Sequence, residues 1–424
     1  RLVLPLLLFA AAWVLVVARV DPVPTWFYVF VWYPTLGLLD AVAARRGRPS
    51  LVARPAALIS LLAWSPVVWL VFEALNFRLE NWYYVLLPAH PVERWAGILL
   101  SFATVLPAIV LAERALEALG LFTGAPGRRV VVRPGDLRAA AALGAAALAL
   151  SLIWPRLFFP LVWGVGLFLA EPLAYGRAPD LSLVRDLERG DWGRVGRLLA
   201  GGAGIGLLWE FYNHWAEGRW IYTVPWLERL KLFEMPPLGF VGFPVFALSA
   251  WSMYAALCGL GVAVAPSGGP RLGTRRVLPA GIAAAAFALA VLWGMDRRTV
   301  SSTVPRLNDL PGLTATEDAA LRDAGLTSVR ALAGLDTALA PARLRAAVAT
   351  ARLVMLRGTG LDHARTLGAL GIRHPCDLPA RDPEALAEAV RRLGRRHRPT
   401  AAEVRVWLRA ASRQCGEAAA GRPD

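Results

Sequence analysis

The stretch LWEFYNHWAEGRWIYTVP, residues 208–225, shows how the sequence is organised, because a related stretch, FEALNFRLENWYYVLLP, occurs at residues 72–88. In both, a glutamate, an asparagine and a second glutamate follow at intervals of three and four residues, and a Trp-x-Tyr and a proline come after them. Residues at these intervals lie on one face of an α-helix. The repeated residues are Glu73, Asn76, Glu80, Trp82 and Tyr84 in the first copy, and Glu210, Asn213, Glu217, Trp220 and Tyr222 in the second.

The similarity extends towards the N-terminal side of each copy. A proline, a tryptophan and an acidic residue lie eight residues apart in both parts of the chain: Pro24, Trp32 and Asp40, and Pro155, Trp163 and Glu171. The repeated spacing predicts an internal duplication. Membrane repeat 1 would cover residues 1–112, a connecting loop residues 113–137, and membrane repeat 2 residues 138–264.

Composition places the chain among polytopic membrane proteins. Of its 424 residues 56% are apolar and 18% are charged, a combination that soluble domains do not show. Nine apolar segments have the length of about 17 to 25 residues that a membrane helix needs: 2–18, 24–40, 55–76, 95–112, 138–154, 156–175, 194–213, 238–264 and 277–295. The predicted fold is all-α, a polytopic membrane helical bundle of two tandem four-helix repeats in the same orientation, with 277–295 as an additional apolar segment.

Arginines predict the orientation of this bundle. They are concentrated after the second, fourth and eighth predicted spans and between the sixth and seventh, for example Arg45, Arg114, Arg194 and Arg275. Loops rich in arginine face the cytoplasm, so the Trp-x-Tyr loops should face outward, and the net charge of +15 does not by itself indicate a nucleic-acid partner. We expect a multi-pass protein of a bacterial inner membrane. A ninth span would put the C-terminal region outside, whereas Arg297 and Arg298 indicate the inside, and the sequence leaves both open.

The three cysteines, Cys258, Cys376 and Cys415, have neither the spacing of a disulfide framework nor that of metal ligands. No His-x-x-x-His or Cys-x-x-Cys pattern occurs in the membrane region. We therefore expect no metal and no cofactor.

Residues 300–424 have the composition of a small soluble helical domain. Leu310-Pro-Gly312-Leu precedes a predicted helix, 316–324, and Leu356-Arg-Gly358-Thr-Gly360 precedes another, 362–370. The pattern resembles tandem helix-hairpin-helix units, of which the second keeps the Gly-x-Gly of the family and the first has Thr314 in place of its second glycine. The resemblance implies that Gly312, Gly358 and Gly360 form backbone sites for a phosphate or a partner surface. The partner would be DNA or a protein, and the family also includes purely structural versions.

Two glutamates lie nearest the interior of the predicted spans. An ionisable residue in a membrane helix costs a few kcal/mol, so Glu73 and Glu210 require a functional or structural reason. Together with Asn76 and Asn213 they either line a cavity between the two halves or join helices by hydrogen bonds. The sequence leaves both interpretations open.

The second copy continues into Glu234-Met-Pro-Pro and Trp251-Ser-Met253 after Trp220-Ile-Tyr222-Thr. This run resembles, distantly, membrane proteins of carotenoid biosynthesis of the hydratase type and, less closely, of the lycopene cyclase type. The resemblance implies acid chemistry on a polyene. A protonated carboxyl, Glu210 or Glu234, would protonate a double bond, and Trp220 and Tyr222 would stabilise the resulting cation.

Three functions remain open. The first is binding or conversion of an isoprenoid or carotenoid-like lipid, the second is transport by pseudo-symmetric halves, and the third is a non-enzymatic membrane scaffold whose C-terminal domain binds a protein or DNA. For the first, the candidate catalytic residues are Glu73, Glu210 and Glu234, and the candidate substrate-binding residues are Asn76, Asn213, Glu217, Trp220, Tyr222, Trp82 and Tyr84. Membrane lipid is an expected partner in every case.

Overall fold

The computed structural model describes residues 2–45, 49–123, 127–225, 230–268, 274–336, 344–393 and 397–420, and most of these residues are helical. The chain divides into two compact units. Unit 1 comprises residues 1–81, 95–216 and 224–293, and unit 2 comprises residues 82–94, 217–223 and 294–424. The helices are α1 (Val3–Val17), α2 (Val23–Ala43), α3 (Pro55–Leu79), α4 (Pro91–Phe102), α5 (Val105–Ala118), α6 (Pro134–Ile153), α7 (Pro155–Phe158), α8 (Val162–Arg177), α9 (Leu183–Arg189), α10 (Gly193–Trp215), α11 (Gly242–Gly259), α12 (Thr274–Arg298), α13 (Ala315–Asp323), α14 (Val329–Ala333), α15 (Arg345–Met355), α16 (Gly360–Ala369), α17 (Pro383–Leu393) and α18 (Ala401–Ala420).

Each of the nine predicted apolar segments coincides with helix. Among the described residues, seven helical stretches are long and apolar enough to cross a membrane: Val23–Ala43, Pro55–Leu79, Pro91–Ala118, Pro134–Ile153, Pro155–Arg177, Pro237–Gly259 and Arg275–Arg298. The other two predicted spans, 2–18 and 194–213, do not meet this criterion. Helix α1 has only 15 residues, and α10 carries Arg194, Arg197 and Glu210 among several glycines, which lowers its hydropathy.

Unit 1 is held together by pairwise helix packing. Helix α1 packs on α2, and α6 packs on α8. Helices α2 and α3 pack on α5, while α8 and α10 pack on α11. Further contacts connect these groups, for example those of α10 with α5 and of α3 with α11.

The predicted fourth span, 95–112, contains a break. Helix α4 ends at Phe102 and α5 begins at Val105. At the break the Ser65 hydroxyl of α3 donates to the Phe102 carbonyl at 2.5 Å and accepts the Leu106 N–H at 2.9 Å. An interruption of this kind is tolerated in an apolar region only when its backbone groups find partners, and Ser65 supplies them.

The acidic residues Asp40 and Glu171 both secure a turn that follows their helix. Asp40 accepts hydrogen bonds from the Ser50 hydroxyl and from the Leu51 N–H. Glu171 accepts from the Ser182 hydroxyl at 2.6 Å and from the Val184 N–H at 3.0 Å. Carboxylates that accept several hydrogen bonds are compatible with burial, so both residues have a structural explanation.

Unit 2 contains two strands that an all-α fold lacks. β1 (Trp82–Val85) follows α3, β2 (Arg219–Tyr222) follows α10, and the two pair antiparallel. The register pairs Trp82 with Tyr222, Tyr83 with Ile221, Tyr84 with Trp220 and Val85 with Arg219. Tyr83 and Ile221 belong to one hydrophobic core with Val348, Leu367 and Trp407. The core of the C-terminal region, expected from residues 300–424 alone, therefore includes two loops from the membrane part of the sequence.

A disulfide joins Cys376 and Cys415, whose Cα atoms lie 5.8 Å apart. The expectation that the cysteines form no disulfide is wrong. The two residues are 39 positions apart, and their approach results from the packing of α18 on the turn at residues 375–377, which the spacing alone does not reveal.

An ion pair joins two distant segments of unit 2. Arg94 is fully buried, and its guanidinium donates to both carboxylate oxygens of Asp296, at 2.7 and 2.8 Å. It also donates to the carbonyls of Pro88 and Ala89, at 2.7 and 3.0 Å. A guanidinium held by two carboxylate oxygens and two carbonyls has its donors well satisfied.

We expect Arg94→Ala to lower the free energy of unfolding by about 3–5 kcal/mol, because it leaves the Asp296 carboxylate without its buried partner. The matched control is Arg392→Ala, which removes an exposed pair with Glu388 and should cost no more than about 1 kcal/mol. Thermal unfolding of both variants in the same detergent measures the difference. Equal losses in the two variants would contradict this assignment.

Candidate functional site: buried carboxyls among aromatic rings

Glu73 lies in the last third of α3 and is fully buried. The indole Nε1 of Trp69 donates to Glu73 Oε1 at 2.9 Å. Because the two residues are four apart, both lie on the same helix face. The Trp69 ring contacts Phe72 and Phe246, with centroids 6.0 and 5.4 Å away. The carboxyl is therefore enclosed by its own helix and by aromatic side chains.

Glu210 occupies the corresponding place on α10 and is also fully buried. The Tyr28 phenol of α2 lies within electrostatic range of its carboxyl. The neighbouring rings of Trp209 and Tyr212 contact the buried indole of Trp32, at centroid distances of 6.1 and 5.2 Å. Aromatic side chains of α2 and α10 thus pack together in the part of unit 1 that contains Glu210.

Phe246 of α11 connects the aromatic rings on the side of Glu73 with those on the side of Glu210. Its ring contacts Trp69 and Phe72 on the side of Glu73 and Trp209 on the side of Glu210, at centroid distances between 5.1 and 5.9 Å. Trp163 of α8 completes the group, stacking on Phe72 at 5.6 Å and contacting Phe246 at 5.9 Å. We call Trp69, Phe72, Trp163, Trp209 and Phe246 the aromatic cluster.

The asparagines Asn76 and Asn213 are both fully buried. Asn76 Oδ1 accepts the Asn81 N–H at 2.8 Å, just beyond the left-handed residue Glu80 that ends α3. This hydrogen bond fixes the exit of α3 towards β1. Asn76 therefore has a structural role in addition to its position on the Glu73 face.

The Trp-x-Tyr residues are placed in unit 2, whereas Glu73 and Glu210 belong to unit 1. Trp82, Tyr84 and Tyr222 are buried and Trp220 is half-buried in the β1–β2 ribbon. Glu217 also belongs to unit 2, where it pairs with Arg330 of α14 at 2.9 Å. The structure thus brings the Trp-x-Tyr residues together with each other, in a unit separate from the carboxyls.

Glu234 is buried in a tight turn of unit 1. Leu232 and Met235 exchange backbone hydrogen bonds across the turn, at 2.9 and 3.2 Å. Phe233 has a positive φ of 57° and contacts the rings of Phe211 and His214 on α10. The turn is therefore fastened to the helix that carries Glu210.

The two hairpin sites of the C-terminal region differ in exposure. Gly312 has a φ of +81° and open space around it. Gly358 and Gly360 have φ values of +88° and +72°, but a Cβ at Gly358 would meet the Tyr83 hydroxyl and the Trp407 ring, and one at Gly360 would meet Ser302. Thr359 between them is fully buried. The second hairpin thus lies within the core of unit 2, and burial of its backbone leaves it little access to a phosphate.

No protein-family profile matches the chain, and neither curated proteins nor solved structures give a match. In the part of the chain that the structure describes, no group of three or more His, Cys, Asp or Glu side chains could hold a metal ion.

Several neighbours of the carboxyls were missed from the sequence. Trp69 had a detectable signal, since it precedes Glu73 by one helical turn. Tyr28 and Trp163 belong to other helices, and their approach depends on tertiary packing. Tertiary packing also brings together His363, His397 and Glu403 in unit 2. His397 Nε2 lies 2.7 Å from Glu403 Oε2, and the His363 ring contacts the rings of His397 and Trp407.

The pKa of His363 predicts how unit 2 responds to acid. Burial, and then the neighbouring His397, lower this pKa from 6.5 to about 3. Between these values the unfolded chain binds a proton that the folded protein does not, so the free energy of unfolding should fall by up to ~1.4 kcal/mol per pH unit as the pH drops below 6.5. Unfolding midpoints between pH 7.5 and 5 in wild type and in His363→Phe, which keeps an aromatic ring, test this.

The matched control for this measurement is His90→Gln, which replaces an exposed histidine of unit 2 and should leave the acid sensitivity as in wild type. His363→Phe should reduce it. Equal acid sensitivity in wild type and His363→Phe would show that another group is responsible.

Proposed function

We propose that the membrane part binds an isoprenoid-like lipid, and that its two buried carboxyls act on it as intramembrane acids. The observation that carries the proposal is the full burial of Glu73 and Glu210 beside one continuous aromatic cluster. Burial away from water favours an uncharged carboxylic acid over a carboxylate, and aromatic faces attract a developing cation. Both properties suit protonation of a carbon–carbon double bond.

The geometry changes which aromatic residues we assign to this chemistry. Trp220 and Tyr222 lie in unit 2, so we assign the role of stabilising a cation to Trp69, Trp163 and Trp209 of the aromatic cluster. Glu234 remains a third candidate acid. Its turn is attached to α10 through Phe233, whose ring contacts Phe211 and His214, one and four residues after Glu210.

We further propose that the membrane part consists of two copies related by a pseudo-two-fold axis. In such an arrangement a residue of one copy contacts a partner in the other, and the equivalent residues exchange the same contact. The β1–β2 register supports this, because Trp82 pairs with Tyr222 while the equivalent Trp220 pairs with Tyr84. Two tryptophans support the same relation. Trp32 contacts Trp209, and their equivalents, Trp163 and Phe72, contact each other.

A polar pair supports the same relation. The offset of 137 residues between Glu73 and Glu210 also relates Ser60 to Arg197 and Glu117 to Tyr254. Arg197 contacts Glu117 at 3.5 Å, and Ser60 accepts from the Tyr254 hydroxyl at 2.9 Å. Equivalent residues thus make equivalent contacts between the two proposed copies.

For the C-terminal region we propose a tandem helix-hairpin-helix module with a structural task. The buried hairpin at Gly358–Gly360 supports a role in packing, and the β1–β2 ribbon completes the module's core. The exposed hairpin at Gly312 is then the part available to a protein or DNA partner. This scaffold role is compatible with a lipid site in unit 1.

We place this module outside the cytoplasm of a bacterial inner membrane. Arg54 precedes α3 and Arg194 lies in the first turn of α10, so the arginine-rich ends of these helices are opposite to the ends that continue into β1 and β2. Under the positive-inside rule the strands face outward, and residues 294–420 share their core. The Cys376–Cys415 disulfide supports this side, because disulfides persist in oxidising compartments.

We expect Glu388→Cys, at an exposed position of the module, to react with a membrane-impermeant maleimide on spheroplasts. Arg128→Cys, an exposed position in the loop between α5 and α6, should react only after permeabilisation. Both variants are made with Cys258 replaced by serine, and non-reducing electrophoresis confirms that the native disulfide is intact. The reverse labelling pattern would contradict the topology.

We expect Glu210→Gln and Glu73→Gln to reduce retention or conversion of a polyene lipid by the purified protein about tenfold or more, which corresponds to ~1.4 kcal/mol. Glutamine keeps the shape and removes the acidic proton. Absorbance and mass spectrometry of organic extracts measure the effect, and unfolding midpoints verify that the variants fold.

Glu93→Gln, at an exposed position of α4, is the matched control and should behave as wild type. If Glu210→Gln retains and converts lipid like wild type, the proposal fails. Reaction of a cysteine at position 210 with water-soluble reagents from both sides would instead favour the alternative of a transporter.

A further inference from the structure

The connection between α6 and α8 contacts the helix that carries Glu73. It contains α7 and a 3₁₀ helix at residues 159–161, and Trp163 follows in the first turn of α8. Helix α7 packs on α3. The Trp163 ring lies nearly parallel to that of Phe72 on α3, at 5.6 Å and 15°, and Phe72 directly precedes Glu73. Residues 154–163, which we call the lid, therefore adjoin the part of the aromatic cluster next to Glu73.

The outer surface of the lid is largely apolar. The lid begins the helical stretch Pro155–Arg177, which is long and apolar enough to cross a membrane. Trp154 and Leu157 each expose 57% of their surface, and Leu161 exposes 41%. Exposed apolar side chains that lie together mark contact with a membrane or another apolar partner. At the end of a membrane span these side chains face the bilayer.

Trp163 is the part of the aromatic cluster that lies in the lid. It is half-buried, as is Trp69, whereas Phe72, Trp209 and Phe246 are buried. The cluster thus extends from the surface of unit 1 into its interior. A lipid tail in the place of the Trp163 ring would contact Phe72, the neighbour of the first carboxyl.

The side of the second carboxyl is covered by α1. Trp32, which corresponds to Trp163 in the proposed duplication, is fully buried. It contacts Tyr212 of α10 at a centroid distance of 5.2 Å, and the Trp13 ring of α1 contacts the same tyrosine at 6.3 Å. The comparison favours Glu73 as the carboxyl that an incoming lipid meets first.

Helix α8 contains a weakened turn directly after Trp163. The Ser249 hydroxyl of α11 donates to the Trp163 carbonyl at 2.5 Å and accepts the Leu167 N–H at 3.1 Å. A regular α-helix joins these two backbone groups to each other, and a side chain inserted between them is a common cause of a kink. Gly164 and Gly166 lie in the same turn, and glycine weakens a helix relative to alanine.

Two prolines separate the lid from α6. Pro155 and Pro160 lack the backbone N–H that would continue a helix from α6 into α8. The Ser151 hydroxyl of α6 donates to the Phe158 carbonyl of the lid at 2.9 Å. The rest of α8 packs on α6 and α11. The lid can therefore move without separating these helices, if the Ser151 hydrogen bond and the stack of Trp163 are broken.

We propose that the lid is the entrance through which an isoprenoid-like lipid passes from the bilayer to the aromatic cluster and Glu73, with the weakened turn of α8 as its hinge. This inference rests on the proposed function. In the closed lid the Trp163 ring stacks on Phe72, and in the open lid the lipid tail takes that place. The lid sets the rates of entry and exit, whereas the carboxyls act on the bound lipid.

All-trans-retinol, a fluorescent isoprenoid polyene, is the probe for the full-length protein in phosphatidylcholine nanodiscs. Stopped-flow fluorescence measures its uptake and release, and gel filtration measures the amount retained at equilibrium. Ser151→Ala should accelerate both rates about fivefold, because it removes a hydrogen bond that the closed lid makes. Retention should stay as in wild type, because neither the aromatic cluster nor the carboxyls change.

Gly164→Ala should slow both rates about fivefold, because alanine strengthens the helix at the hinge. A Cβ at this position meets its nearest neighbours, in Phe168 and Val245, at 3.6 Å or more, which is ordinary van der Waals contact. The matched control is Gly281→Ala in α12, where a Cβ has open space, and it should exchange retinol as wild type does. A general loss of folding would not shift the rates in opposite directions.

The outcomes for the lid and for the proposed function can be told apart. If wild type retains retinol and Glu73→Gln does not, equal exchange rates in wild type, Ser151→Ala and Gly164→Ala overturn the lid and leave the proposed function in place. If wild type retains no retinol, both proposals fail.

Discussion

The antiparallel pairing of β1 with β2 is the constraint on which the core of unit 2 depends. β1 follows α3 and β2 follows α10, so the two strands are far apart in the sequence. Paired strands lie about 4.8 Å apart, so the pairing brings these two distant segments together within unit 2. A two-stranded ribbon alone is only marginally stable in water. Here Tyr83 and Ile221 extend into the core of unit 2, which stabilises the ribbon.

Much of this arrangement follows from local sequence, and the parts that do not depend on distant contacts. Apolar segments of sufficient length predicted the positions of the long apolar helices, because length and composition are local properties. The strands were not predicted, although WYYV at residues 82–85 is rich in residues that favour strands. Four residues between helices give no periodicity, and the partner strand lies far along the chain. The break between α4 and α5 depends on Ser65 of another helix, and the Cys376–Cys415 disulfide depends on the packing of α18.

The residues of the candidate site also divide into those that local sequence predicts and those that depend on distant contacts. Burial of Glu73 and Glu210 could be predicted from their position in apolar segments, and Trp69 from its helical spacing. The sequence groups the Trp-x-Tyr residues with the carboxyls, because both repeat together. In the structure the chain passes from unit 1 into unit 2 after Asn81, so the two sets of residues belong to different units. The aromatic cluster comes from α3, α8, α10 and α11, and only the packing of these helices brings its rings together.

The proposed duplication places a pair of hydroxyls in one contact between the copies where the equivalent contact is an ion pair. Arg197 and Ser60 are equivalent positions, as are Glu117 and Tyr254, and both pairs make the same contact between copies. A hydroxyl pair satisfies its hydrogen bond without net charge, whereas the buried Arg197 is held by two carboxylates, Glu113 and Glu117, because burying an unpaired charge costs several kcal/mol. The position equivalent to Glu113 is Ala250, so in the proposed duplication an alanine in one copy takes the place of a carboxylate in the other. Two copies with the same helix packing can thus differ in electrostatics through three residues without a change in the proposed common fold.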